Sequence, residues 1–213
     1  MPRMMTFRYV PTEPKRFSPA PAPAPKSAPG LVTTLLAGLL AMAGCAQDPS
    51  ADYLGGFGDP LRGAALYAPQ NLGDTSRWAG RPAEAAVAAE QLEFLTDGLP
   101  ASPIYATELN PAVVQGLTTA RVEMRHYLGI APDADPQVVI ASLRRAAAAL
   151  RANGQAGGPT NGRALAEAAL DGPAFTAGPV GTLQRLAAMP RLPRTAEAAG
   201  LVASDFDRLE RRR

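Results

Sequence analysis

The chain has 213 residues, 46% of them apolar but only 6% aromatic, so alanine dominates the apolar fraction and close helix packing must supply the core of a single globular domain. The 22 prolines and 20 glycines are clustered, which implies short elements separated by loops. The formal charge is +2, yet Arg3, Arg8, Lys15, Arg16 and Lys26 precede Gly44 against the single acid Glu13; the remaining 16 basic and 18 acidic residues carry −2, which gives no support to a nucleic-acid-binding protein.

The first 29 residues include Ser18-Pro-Ala-Pro-Ala-Pro-Ala-Pro25, a stretch that forms no stable helix. Met4 and Met5 are alternative starts that barely shorten it. Lys15-Arg16-Phe17 has only a slight likeness to a twin-arginine signal, since the second arginine is missing and the apolar run lies far downstream. From Gly30 to Gly44 the chain carries no charge. That run is too short to span a bilayer, which takes about 20 apolar residues for a hydrocarbon core about 30 Å thick. Preceded by positive charge and ended by small residues, it has the form of a signal-peptide apolar region.

Met42-Ala43-Gly44-Cys45 closes the run and resembles the bacterial lipobox, in which a bulky apolar residue, two small ones and a cysteine direct lipid attachment and cleavage. Leucine is commoner than methionine at the first of these positions. The resemblance implies cleavage after Gly44 and a diacylglycerol thioether on Cys45, whose freed amine is often acylated as well, with palmitate a typical chain. Each buried CH₂ contributes about 0.8 kcal/mol, and two or more chains hold where one does not. Cys45 is the only cysteine, so no intrachain disulfide competes for it. The alternative is an incidental thiol after an ordinary cleavable signal. Ala46, not Asp, follows the cysteine; by resemblance to enterobacterial lipoproteins this implies sorting to the outer membrane, facing the periplasm.

Residues 45–80 read as the lipidated start and a Gly/Pro-rich tether, with Gly55-Gly56-Phe57-Gly58-Asp59-Pro60 as its most flexible part. Tyr53, Leu54, Phe57, Leu61, Leu66, Tyr67 and Trp78 are too many apolar groups for a purely disordered linker, so part of it is expected to lie across the helical domain. Trp78 reads as packing.

Residues 81–213 form the helical domain. Pro82 to Asp97 carries the first periodic stripe, Ala85, Ala88, Leu92 and Leu95, widened by Val87 and Phe94 and ended by Gly98 and Pro100. Asn110-Pro111 opens the next helix, with Val113, Leu117, Ala120, Met124 and Tyr127 on one face and Gly129 as its stop. Asp135-Pro136 repeats the start signal ahead of Val139, Leu143, Ala146 and Leu150, with Gly154 as the stop. Shorter helices follow at Ala164–Leu170 and Val180–Met189, then a last piece after Pro193 in which Ser204-x-x-Asp207 resembles a capping box. Arg211-Arg212-Arg213 reads as a solvated end. No repeat and no strand-length alternation emerges, so the expected architecture is all-α: a small bundle of three longer helices with shorter accessory ones, preceded by an irregular tether.

Chemistry finds few candidates. Glu123 and His126 form the Glu-x-x-His pair used in di-iron bundles, but His126 is the only histidine and no second pair exists, so it is read as a rim residue and no metal or cofactor is implied. Acylation of Cys45 removes the one thiol nucleophile. Gly-x-Ser-x-Gly, the P-loop, the dinucleotide fingerprint and Cys-x-x-Cys-His are all missing. Glu90 and Glu93 share one helix as a solvated face rather than a glycan-cleaving pair. Three readings stay open. The first is an envelope interaction protein without catalytic role, docking to another periplasmic or outer-membrane component. The second is a small-ligand or lipid module with a pocket lined by Met124, Tyr127, Phe94 or Phe175. The third is a carboxylate-based cell-wall hydrolase.

Overall fold

The computed structural model describes residues 58–153 and 161–212, all within one compact unit, Gln47–Arg213. It is all-α. Among the described residues, seven helices run in the order α1 (Pro60–Leu72), α2 (Pro82–Ala101), α3 (Pro111–Leu128), α4 (Pro136–Asn153), α5 (Gly162–Ala169), α6 (Gly178–Ala187) and α7 (Pro193–Glu210), with a 3₁₀ turn at Thr75–Trp78 between α1 and α2. No described helix is long and apolar enough to cross a membrane.

Proline sets most of the starts. Pro60, Pro82, Pro111, Pro136, Pro179 and Pro193 each fall in a first turn, where the missing N–H costs nothing and the fixed φ already suits the helix. Asp59 and Asn110 cap α1 and α3, their side chains accepting from Leu61 N at 3.0 Å and from Ala112 N at 2.9 Å. Gly129 ends α3 at φ 71°, the left-handed conformation that glycine adopts without a Cβ clash.

Helix α2 is the axis of the bundle, touched by α1, α3, α4, α6 and the 3₁₀ turn. It is accordingly buried around most of its circumference rather than along one stripe. Ala85, Ala88, Leu92 and Leu95 are buried as their spacing predicts, while Val87 and Phe94 pack only partly against the core. Ala83, Ala86 and Ala89 line the remaining contacts, so neighbouring backbones approach closely in place of bulky interdigitation.

Four differences from the sequence reading have physical causes. The helical body already includes Pro60–Leu72, ahead of residue 81, because α1 buries small residues (Gly63, Ala64, Ala65, Ala68) and Leu72, which leave little periodic signal. Trp78 follows as packing, 8% exposed, its indole N–H donating to Asn71 O at 2.8 Å. The expected irregular segment up to residue 57 lies outside the described residues. Helix α2 passes through Gly98 and Pro100 to Ala101; a Cβ on Gly98 would sit 2.6 Å from Leu61 Cδ2, so this glycine marks the approach of α1 and not a stop. Finally, α7 is a fourth long helix of 18 residues, and Ser204 lies within it, its hydroxyl donating to Leu201 O at 3.0 Å instead of opening a capping box.

Candidate functional site

The lipobox residues Met42, Ala43, Gly44 and Cys45 lie outside the described residues. In the helical body, the acids that sequence placed on a solvated face are in fact interior. Glu90 is 3% and Glu93 2% exposed. The reason is a pair of arginines on neighbouring helices. Glu93 accepts from Arg125 Nε at 2.6 Å and from Nη2 at 2.8 Å, a two-point pairing across α2 and α3. Arg125 Nη1 also faces the carbonyls of Pro132 and Ala134, at 3.0 and 2.9 Å, pinning the loop that leads to α4. Glu90 accepts from Arg144 of α4 at 2.5 Å. Both carboxylates are thus committed to arginines that tie α2 to its neighbours.

Glu123 is committed too. Its two oxygens accept from Arg194 N at 3.2 Å, Thr195 N at 2.9 Å and the Thr195 hydroxyl at 3.0 Å. A carboxylate on α3 therefore caps the first turn of α7, where no local side chain does so. His126, one turn on, is exposed on the rim of α3. Among the described residues, no three His, Cys, Asp or Glu side chains gather as metal ligands.

Neither hollow described below gathers the four residues expected to line a ligand pocket. Met124 and Phe175 are buried in the core and Phe94 packs partly against it. Tyr127 borders an opening, a groove of about 680 Å³ lined by Val122, Glu123, His126, Tyr127, Arg185 and Leu192. Leu192 is buried beside it, and the Tyr127 hydroxyl, at an exposed edge, lies within donating distance of the carbonyls of Arg185 and Ala188, at 2.9 and 2.8 Å. Burial raises the Tyr127 pKa above the ordinary phenol value, with the Arg185 charge pulling the other way. Val122 stands on the lip, 61% exposed, as Ile104, Val138 and Val180 are exposed elsewhere on the surface.

The groove is built where two helices end. His126 and Arg185 lie in the last turns of α3 and α6, where the helix dipoles favour positive charge. No carboxylate among the described residues pairs with Arg185. Val122, Arg185 and Leu192 were not distinguishable in the sequence because they come from three separate segments with no shared motif. A second hollow of about 510 Å³ lies between the start of α2 and the end of α4, beside Arg81, Glu84, Leu150 and Arg151, and Arg81 there already faces Glu84 at 3.8 Å. The chain matches no known protein family, no curated protein and no solved structure.

Proposed function

We propose that this chain is a lipid-anchored cell-envelope protein, tied through Cys45 to the outer membrane and facing the periplasm, whose helical body docks to another envelope component. The observation that carries the reading is Met42-Ala43-Gly44-Cys45 at the end of an uncharged 15-residue run. In this reading the acyl chains hold the body at the bilayer, because burial of about 0.8 kcal/mol per CH₂ over two or three chains exceeds what one chain achieves. Docking rather than catalysis is supported by where the interior acids go. Glu90 and Glu93 are taken up by arginines, and Glu123, which borders the groove beside Tyr127, has both oxygens engaged by the first turn of α7. The ligand-module reading survives in altered form, since the groove beside Tyr127 falls within the size range of small-molecule sites.

The test is membrane fractionation of cells making the chain or its Cys45→Ala variant, fed a labelled palmitate. The parent chain should carry label and sediment with outer membranes, and the variant should lose both. Label retained by the variant, or a parent chain found without label in the soluble fraction, would remove the proposal.

A further inference from the structure

We infer that α1 is a strap that opens as a unit while the rest of the described body stays folded, and that the Asp59 carboxylate is its latch. Helix α1 holds its own shape poorly. Its 13 residues include Gly63, and Pro69 inside it has no N–H to give the Ala65 carbonyl. The surface it buries is made of Gly63, Ala64, Ala65 and Ala68, with Leu72 the one large side chain, so docking removes little apolar area from water. Beneath it the α2 face carries a polar group. Gln91 is 0% exposed and spends its amide on α1, donating to Ala64 O at 2.6 Å and accepting from Asn71 Nδ2 at 2.7 Å. Water can take both places when α1 leaves, which keeps the cost of opening below that of baring an all-apolar seat. Among the described elements α1 comes first and is joined to the others only through Gly73 and Asp74, so its departure breaks no other connection.

The latch lies at the start of the strap. One Asp59 oxygen accepts from Leu61 N at 3.0 Å and so caps α1, while the other accepts from the Tyr105 hydroxyl of the 102–110 segment. Tyr105 gives that bond a rigid base, since it is 3% exposed and its ring stands 5.1 Å from that of Phe206, a 2% exposed residue of α7. One carboxylate therefore both starts the strap and ties it to two distant parts of the chain. Arg62 reaches Glu210 at 2.6 Å nearby, but both side chains of that pair are exposed and screened, so it adds little. Asp59 is also where the chain from Cys45 enters the described body, so a pull along that segment acts directly on the latch. Acylation of Cys45 decides only whether such a pull comes from a bilayer; the strap opens with or without it.

The experiment is native-state amide hydrogen exchange of the full chain in mild detergent, with and without Tyr105→Phe, which keeps the ring and removes the hydroxyl. The amides of α1 from Ala64 to Leu72 are expected to share one opening, at least about tenfold more frequent than that of the central turns of α3 and α4. Tyr105→Phe should raise exchange in α1 about tenfold or more, as loss of a hydrogen bond to a charged acceptor does, and leave α3 and α4 within about twofold. Asp59→Ala should raise it at least as far, and adding Tyr105→Phe to it should change nothing more. Exchange in α1 that is unmoved by Tyr105→Phe, or that rises equally in α1, α3 and α4, would overturn the inference. So would a Tyr105→Phe effect undiminished in the Asp59→Ala background, unfolding of the whole body by either variant, or α1 amides as protected in the parent chain as the centre of α3. The same readings on the Cys45→Ala chain are expected to agree, so failure of the strap and failure of the proposed anchor are told apart.

Discussion

Replacing Arg125 with methionine tests the interior most severely. The substitution keeps most of the side-chain volume but leaves the Glu93 carboxylate, 2% exposed, without the guanidinium that now meets both of its oxygens. Removing one member of a buried pair costs about 3–5 kcal/mol, because the surviving charge stays desolvated. Arg125 also faces the carbonyls of Pro132 and Ala134, but that loop is partly open to water, which can replace a donor there, so the loop adds little to the cost. For a domain of this size the loss corresponds to a fall in Tm of roughly 6–20 °C. The assay is thermal and urea unfolding of the full chain in mild detergent, followed by far-ultraviolet circular dichroism. Adding Glu93→Leu to Arg125→Met should restore most of the stability, since an apolar pair of similar volume often equals or exceeds a buried ion pair. A cost below about 1 kcal/mol for Arg125→Met, or a double variant no more stable than the single one, would refute the idea that this pair is dry and coupled.

Other expectations follow from single contacts. Gly129→Ala should destabilise the fold by roughly 2–4 kcal/mol in urea unfolding, because its φ of 71° disfavours any Cβ and that Cβ would meet Ala177 Cβ at 2.5 Å. Glu123→Ala should cost about 1–2 kcal/mol and raise amide exchange in the first turn of α7, at Arg194 and Thr195, while leaving α3 protected. Tyr127 sets an alkaline limit. Its folded pKa lies above the unfolded value because burial disfavours the phenolate, so its contribution is whole below about pH 10 and is lost as pH rises through the folded pKa. Tyr127→Phe should flatten that part of the stability profile, measured as Tm against pH, and an unchanged alkaline slope would count against the raised pKa of Tyr127.

The parts of the fold legible in the sequence are those that rest on local rules. Asn110-Pro111 and Asp135-Pro136 announce α3 and α4, and Gly129 announces the end of α3, because a cap, a first-turn proline and a left-handed glycine act within a few residues. What stayed hidden depends on partners far along the chain. The α1 stripe of Gly63, Ala64, Ala65 and Ala68 is apolar only in the sense of being small, and its burial comes from α2 and α7 packing onto it. Glu90 and Glu93 look like solvent-facing acids until Arg144 and Arg125 arrive from other helices, 54 and 32 positions away. Glu123 stands in a Glu-x-x-His pair, and its use as a cap depends on a helix that starts against it at Thr195, 72 positions on. The groove combines all of these difficulties, since Val122, Arg185 and Leu192 are unremarkable where they stand and meet only in the folded body.

Mass spectrometry of the mature amino-terminal peptide bears most directly on the account. A peptide that begins at Cys45 and carries the mass of a diacylglyceryl thioether, with or without a third acyl chain on its amine, is the predicted result. A free thiol at Cys45, or a terminus still upstream of Gly44 in membrane-associated protein, would contradict it.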